Sequence, residues 1–149
     1  MAHEETVEEL VRQVSTAAYR FGSAANRICR NVGVTGAMRD VLTAAAANER
    51  ATVPQLARAL GVSRQHVQKL ADDLWERDLT MFRTNPGHAR SPFVELTSQG
   101  EAVVEMIREF EQKLITELSA DLPSDAATAV AVLRRLNAAL HRRHPPDVP

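Results

Sequence analysis

Residues 52–74, TVPQLARALGVSRQHVQKLADDL, decide the fold. Leu56, Ala57 and Leu60 place an apolar face on one short helix. Val67, Leu70, Ala71 and Leu74 repeat at the i, i+3, i+4, i+7 spacing of a buried stripe on a second. Thr52 and Gln55 have the spacing of a capping box, and Pro54 suits a first helical turn, where its missing N–H is not needed. Gly61 falls where a left-handed residue would stop the first helix, and Ser63 is placed to cap the second. Two short helices joined by a tight turn are expected.

The register says more than the helices do. Ala57 is small enough to let the helices approach closely. The turn glycine, Gly61, comes four residues later, the β-branched Val67 six after that, and the apolar Leu70 three further on. This is the helix-turn-helix pattern, whose second helix enters the DNA major groove; an ordinary αα-hairpin does not need this spacing. With Val67, Leu70, Ala71 and Leu74 turned inward, Gln65, Gln68, Lys69 and Asp72 face outward. Gln65 and Gln68 have the donor–acceptor pair that adenine requires, and Lys69 can reach guanine or a phosphate. Arg64 and His66 flank this face as phosphate contacts, and Ser63 at the helix start can help hold a phosphate. Asp72 could accept from cytosine, but its charge repels the DNA backbone.

Working outward, the pattern changes at Asp78. Leu79–Arg83 and Phe93–Leu96 read as two short strands, with Pro92 just ahead of the second, where a missing N–H costs the ladder little. The intervening Asn85–Ser91 is turn-rich and basic. Such a hairpin directly after a helix-turn-helix is a wing, and Arg83, Asn85, His88 and Arg90 are its candidate DNA contacts; an arginine at the tip suits a narrow minor groove. Upstream, one long amphipathic helix is expected from about Thr6 to Val32, with Val7, Val14, Phe21 and Ile28 at heptad spacing, ending near Gly33. A second helix starts near Thr35 and carries Met38, Val41, Leu42 and Ala45. Downstream, Thr97 caps another long helix striped by Val103, Val104, Ile107, Phe110, Leu114 and Leu118. Pro123 breaks it, and Ser124 caps a last helix. Terminal helices with more apolar surface than one small module can cover suit a dimer interface. The expected fold is therefore mainly α: a helix-turn-helix with a small two-stranded β wing, between long N- and C-terminal dimerisation helices. The divisions fall at residues 1–34, 35–97 and 98–144, with 145–149 as a tail.

The chain has 149 residues, enough for one domain with a sizeable core. Its formal net charge is −1, unusual for a nucleic-acid binder. From Thr52 to Thr97 there are six basic and five acidic side chains, with the acids gathered towards the far end of the second short helix. Modest DNA affinity per subunit, raised by dimerisation, is expected. No apolar run is long enough to span a bilayer, and the acidic start MAHEETVEEL is unlike a signal peptide. The single cysteine, Cys29, excludes an intrachain disulfide and suits a reducing, cytoplasmic setting. No nucleophile elbow, phosphate loop, HExxH or paired catalytic carboxylates occur, so neither an enzyme nor a cofactor is expected. His141 and His144 have no carboxylate or cysteine partner in view, and no metal site is expected there.

Leu56-Ala57, Gly61-Val62-Ser63, Val67, Leu70, Leu74, Glu76-Arg77-Asp78-Leu79, Arg90, and Leu96-Thr97 with Gly100 together resemble the MarR family of bacterial winged-helix transcriptional regulators. The resemblance covers nearly the whole chain. It implies a homodimer built from terminal helices, binding to a pseudopalindromic double-stranded DNA operator, usually as a repressor, and release by a small-molecule effector or by thiol oxidation. An effector would lie between the DNA-binding lobe and the dimerisation helices, where Phe21, Met38 and Phe110 are candidate lining residues. Two positions depart from the family pattern. Asp78 stands where glycine is usual, and the wing motif Asp-x-Arg is here His88-Ala89-Arg90, which keeps the arginine without the aspartate that commonly braces it. These departures and the near-neutral charge motivate a competing function, a winged-helix protein-interaction module that does not read DNA. A second alternative is a thiol-based redox regulator using Cys29, although no other cysteine is present to resolve a sulfenic acid.

Overall fold

A computed structural model describes residues 2–143. His144 and the tail at 145–149 lie outside the described residues. The elements run α1 (Ala2–Asn31), α2 (Gly36–Ala47), β1 (Ala51–Thr52), α3 (Val53–Leu60), α4 (Arg64–Glu76), β2 (Thr80–Arg83), β3 (Phe93–Leu96), α5 (Ser98–Asp121) and α6 (Ala126–Arg143). This is the mainly α winged helix expected from the pattern. No helix among the described residues is long and apolar enough to cross a membrane.

Local signals set most boundaries. The Thr35 hydroxyl accepts from the Met38 amide at the start of α2 (3.2 Å), Ser63 from His66 at the start of α4 (3.2 Å), and Thr97 from Gly100 at the start of α5 (3.0 Å). At α3 the Gln55 carboxamide oxygen accepts from both the backbone N–H and the hydroxyl of Thr52 (2.9 and 3.2 Å). Gly61 ends α3 at φ 67°, ψ 32°, the left-handed conformation expected of it.

The sheet departs from expectation by one strand. It has three antiparallel strands in the order β1-β3-β2: Ala51 pairs with Val94 and Thr52 with Phe93, while Thr80–Arg83 pairs with Leu96–Phe93. The two-residue β1 clamps the wing hairpin to the start of α3. The last helix also starts later than expected. Ser124 lies in a turn, and the first helical residue is Ala126; the Ala126 and Thr128 amides donate to Pro123 and Asp125.

The core is built around α2, which packs against α1, α3, α4, α5 and β3. Val41 and Leu42 are fully enclosed, with Leu56, Val67, Ala71, Leu74, Val94 and Ile107 around them. Cys29, Val103 and Val104 extend this core to the long helices. Those helices are otherwise open. In one chain α6 has no buried residue, and Val7, Val11, Phe21, Met106, Ile115, Val130, Leu133 and Leu140 remain exposed.

A close joint connects the lobe to α5. A Cβ on Gly100 would lie 2.0 Å from the Leu79 carbonyl oxygen. The Thr97 amide donates to that same oxygen (3.1 Å), and the Thr97 hydroxyl donates to the Asp78 carbonyl. Asp78 itself has φ 58°, which accounts for the usual preference for glycine at this position. Gly100→Ala is expected to destabilise the protein by about 3 kcal/mol or more, because backbone cannot yield as a side chain can. Asp78→Gly is expected to add about 0.5 kcal/mol, the relief of left-handed strain less the greater entropy glycine loses on folding. Urea unfolding of both variants tests this pair of opposite signs.

Candidate nucleic-acid interface

The apolar stripe of α4 does as expected: Val67, Ala71 and Leu74 are buried and Leu70 is partly so. That fixes the opposite face. Arg64, Gln65, His66, Gln68, Lys69 and Asp72 are exposed, with the capping Ser63 half-buried at the helix start. Gln68 and Asp72, one helical turn apart, are joined by a hydrogen bond from the Gln68 Nε2 to an Asp72 carboxylate oxygen (2.9 Å). That i, i+4 spacing was available in the sequence, but nothing there distinguished an internal pair from two independent outward groups.

The wing side chains divide into two kinds. Arg83 donates from Nε to the Glu95 carboxylate across the hairpin (2.6 Å), a pairing set by the β2–β3 register. Asn85 braces the loop: its Nδ2 donates to the Ser91 carbonyl (3.0 Å) and its Oδ1 accepts from the Gly87 amide (3.0 Å). His88 and Arg90 are exposed, and Arg90 makes no ion pair among the described residues. Arg64, Gln65 and Gln68 of α4 line one cleft with Arg90, Ser91 and Pro92 of the wing and Val53 and Pro54 of α3. Pro54, Ser91 and Pro92 were not among the candidate contacts read from the sequence; they reach the cleft because β1 holds the wing against α3. Lys69, His66 and His88 do not line it.

The candidate effector residues also divide. Phe21 and Phe110 line one groove between α1 and α5 with Ala25, Ile28, Leu114 and Arg39. Its volume of about 320 Å³ is enough for a small organic molecule. Met38 is 4% exposed and belongs to the core. Arg39 donates from Nε and Nη2 to Asp40 (3.1 and 2.8 Å).

Cys29, in the last turn of α1, is buried. Burial pushes its thiol pKa up, Arg39 opposes this, and Asp40 and Glu111 add to the rise. Among the described residues no group of three or more His, Cys, Asp or Glu side chains is arranged to hold a metal.

No protein-family model matches the chain. Among curated proteins, an uncharacterised protein of Mycobacterium tuberculosis and another of Mycobacterium bovis are each 41% identical to it over 96 residues. The match spans 63% of this chain and 66% of the relatives, just under two thirds of their length. Among solved structures, a MarR family transcription regulator is 31% identical with a TM-score of 0.85, and the alignment covers 95% of this chain and 97% of that one. Two others share the fold. Staphylococcus aureus MarR in complex with salicylate and kanamycin has TM-score 0.83 at 18% identity, covering 93% and 95% of the two chains. A cysteine-to-serine mutant of E. coli MarR complexed with operator DNA has TM-score 0.75 at 23% identity, covering 87% and 94%. The chain belongs to the MarR family. It is a transcription regulator of that family.

The burial of Cys29 makes a direct prediction. Because Cys29 is 1% exposed and burial raises its thiol pKa, alkylation by iodoacetamide should be at least about tenfold slower in the folded protein than in urea. Its rate should climb only above the ordinary thiol pKa. Fast labelling of native protein at pH 7 would favour the redox alternative.

Proposed function

We propose that this chain is a homodimeric repressor that reads a pseudopalindromic operator through α4 and its wing and is released by a small ligand. The observation that carries the reading is the convergence of Arg64, Gln65 and Gln68 from one element and Arg90 from another on a single cleft. Amides there suit base edges, and the guanidinium groups suit phosphates or a narrow minor groove. Arg64 and Arg90 supply positive charge locally although the whole chain carries a net −1. Ser63 and His66 are assigned to the backbone at the helix start, Lys69 to guanine or phosphate, and His88 to the wing tip. Arg83 and Asn85, engaged with Glu95 and Ser91, support the wing more than they contact DNA.

The homodimer is supported by the apolar side chains left open on α1, α5 and α6. A second copy would cover them and place two α4 helices on successive major grooves, which a lone lobe of modest charge needs for tight binding. The effector reading is supported by the mainly apolar groove, whose charged lining residues are Arg39, held by Asp40, and Glu111, a shape suited to a small aromatic molecule. The S. aureus relative with bound salicylate and kanamycin makes such a ligand a reasonable first probe.

Fluorescence anisotropy with an operator obtained by random-sequence selection tests the function. Binding should be lost on scrambling and should weaken steeply with salt. Arg90→Ala should weaken all sequences alike and reduce the salt slope by about 1. Gln68→Ala should cost about 1–3 kcal/mol on the operator alone. Equal, weak binding to operator and scrambled DNA would favour the protein-interaction module. Sedimentation should give twice the chain mass; a monomer at micromolar concentration would remove the dimer from the proposal.

A further inference from the structure

We propose that Asp72 is a positioning residue for base readout: it holds the Gln68 carboxamide in one orientation and thereby makes that position select adenine over guanine. The proposal rests on the assignment of α4 as the DNA-reading helix and adds a specificity mechanism to it.

Asp72 is a poor choice for a surface that meets phosphates, and its charge is not neutralised. Among the described residues it makes no ion pair, although Lys69 is only three positions away. Its partner is the neutral amide of Gln68, at 2.9 Å from Nε2. The direction of that bond matters. An ionised carboxylate only accepts, so turning the amide over to present Oε1 to Asp72 would set two acceptors against each other. Asp72 therefore favours one orientation of the amide.

Counting donors then gives the specificity. A glutamine amide has two N–H donors and one acceptor oxygen. One N–H is occupied by Asp72, which leaves one donor and one acceptor on the exposed face beside the wing cleft. Adenine offers N7 as acceptor and its N6 amino group as donor in the major groove, a match for that remainder. Guanine offers N7 and O6, two acceptors, and needs two donors. A free glutamine could meet either purine with its two N–H groups or its N–H and oxygen; one held by Asp72 keeps the adenine pattern and loses the guanine pattern. If the pair served only to stabilise the helix, as i, i+4 pairs commonly do, removing Asp72 would leave the base preference unchanged.

The test measures all four bases at each operator position for the full-length wild type, Gln68→Ala, Asp72→Ala and Asp72→Asn. The wild type should prefer adenine over guanine by about tenfold at one position per half-site, and Gln68→Ala should erase this. Asp72→Ala should tighten binding to all DNA yet reduce the adenine-to-guanine ratio at that one position to within about threefold. Asp72→Asn also removes the charge, but its side chain can donate as well as accept and so no longer fixes the Gln68 amide; it should lower the ratio much as Asp72→Ala does. If Asp72→Ala shifts the affinity for every base in parallel, the residue acts through charge alone and the proposal is overturned while DNA reading stands. A wild type that selects no sequence overturns both. A DNA-free readout separates these cases further. In nitrogen-15 spectra one Gln68 side-chain amide proton should be shifted by the carboxylate and should return to the free value in Asp72→Ala; an unshifted wild-type signal would also overturn the proposal.

Discussion

The contact on which the rest depends is the approach of Gly100 to the Leu79 carbonyl. Three elements meet there. Leu79 donates its amide to Leu74, at the last buried turn of α4, and its carbonyl accepts from Thr97 at the end of β3. Gly100 sits against that carbonyl in the first turn of α5. The end of the reading helix, both strands of the wing and the long helix towards the far end of the molecule are thus held within one or two peptide units. Arg77 adds a further tie, from Nη1 to the Gly33 carbonyl beyond α1 (2.8 Å). A shift of the long helices relative to one another would be felt directly at the base of α4, because no flexible side chain lies at this joint to absorb it.

Charge is unevenly distributed over the proposed DNA-facing surface. Arg64 and Arg90 are concentrated at the cleft, while Asp72, Asp73, Glu76 and Asp78 occupy the distal part of α4 and its exit. Arg83 is paired with Glu95 and so contributes little to attraction for phosphate. A strongly basic face would bind any DNA; on the proposed function this one would leave more of the discrimination to hydrogen bonds made by side chains with defined partners.

The parts legible in the sequence were those set by local chemistry. Thr35, Ser63 and Thr97 cap helices through their own hydroxyls, and Gly61 turns the chain by its own conformation, so neighbours a few positions away suffice to find α2, α3, α4 and the start of α5. The stripe Val67, Leu70, Ala71, Leu74 likewise settled which face of α4 is exposed, and with it most of the candidate reading residues. What was not legible depends on distant pairing. Strand β1 is two residues long and exists only because β3 lies beside it. The engagement of Arg83 with Glu95, twelve residues away, follows from hairpin register. Ser124 looked like a cap because of the proline before it, yet the turn after Pro123 takes two residues before the helix begins. Met38 and Phe21 are both apolar helix residues, and only the packing of α2 at the centre of the lobe sends the first into the core and the second to the groove.

Trp75 is the only tryptophan in the chain, and it lies on α4 with 55% of its surface exposed. It sits one residue before the helix ends and four before Leu79, next to the joint that ties α4 to α5. The native protein therefore carries a built-in optical reporter. Light absorbed at the red edge of the protein spectrum is absorbed by this indole alone, and its emission colour follows the water around the end of the reading helix. Motions of that helix can be followed in unlabelled protein, with no dye to disturb its exposed face.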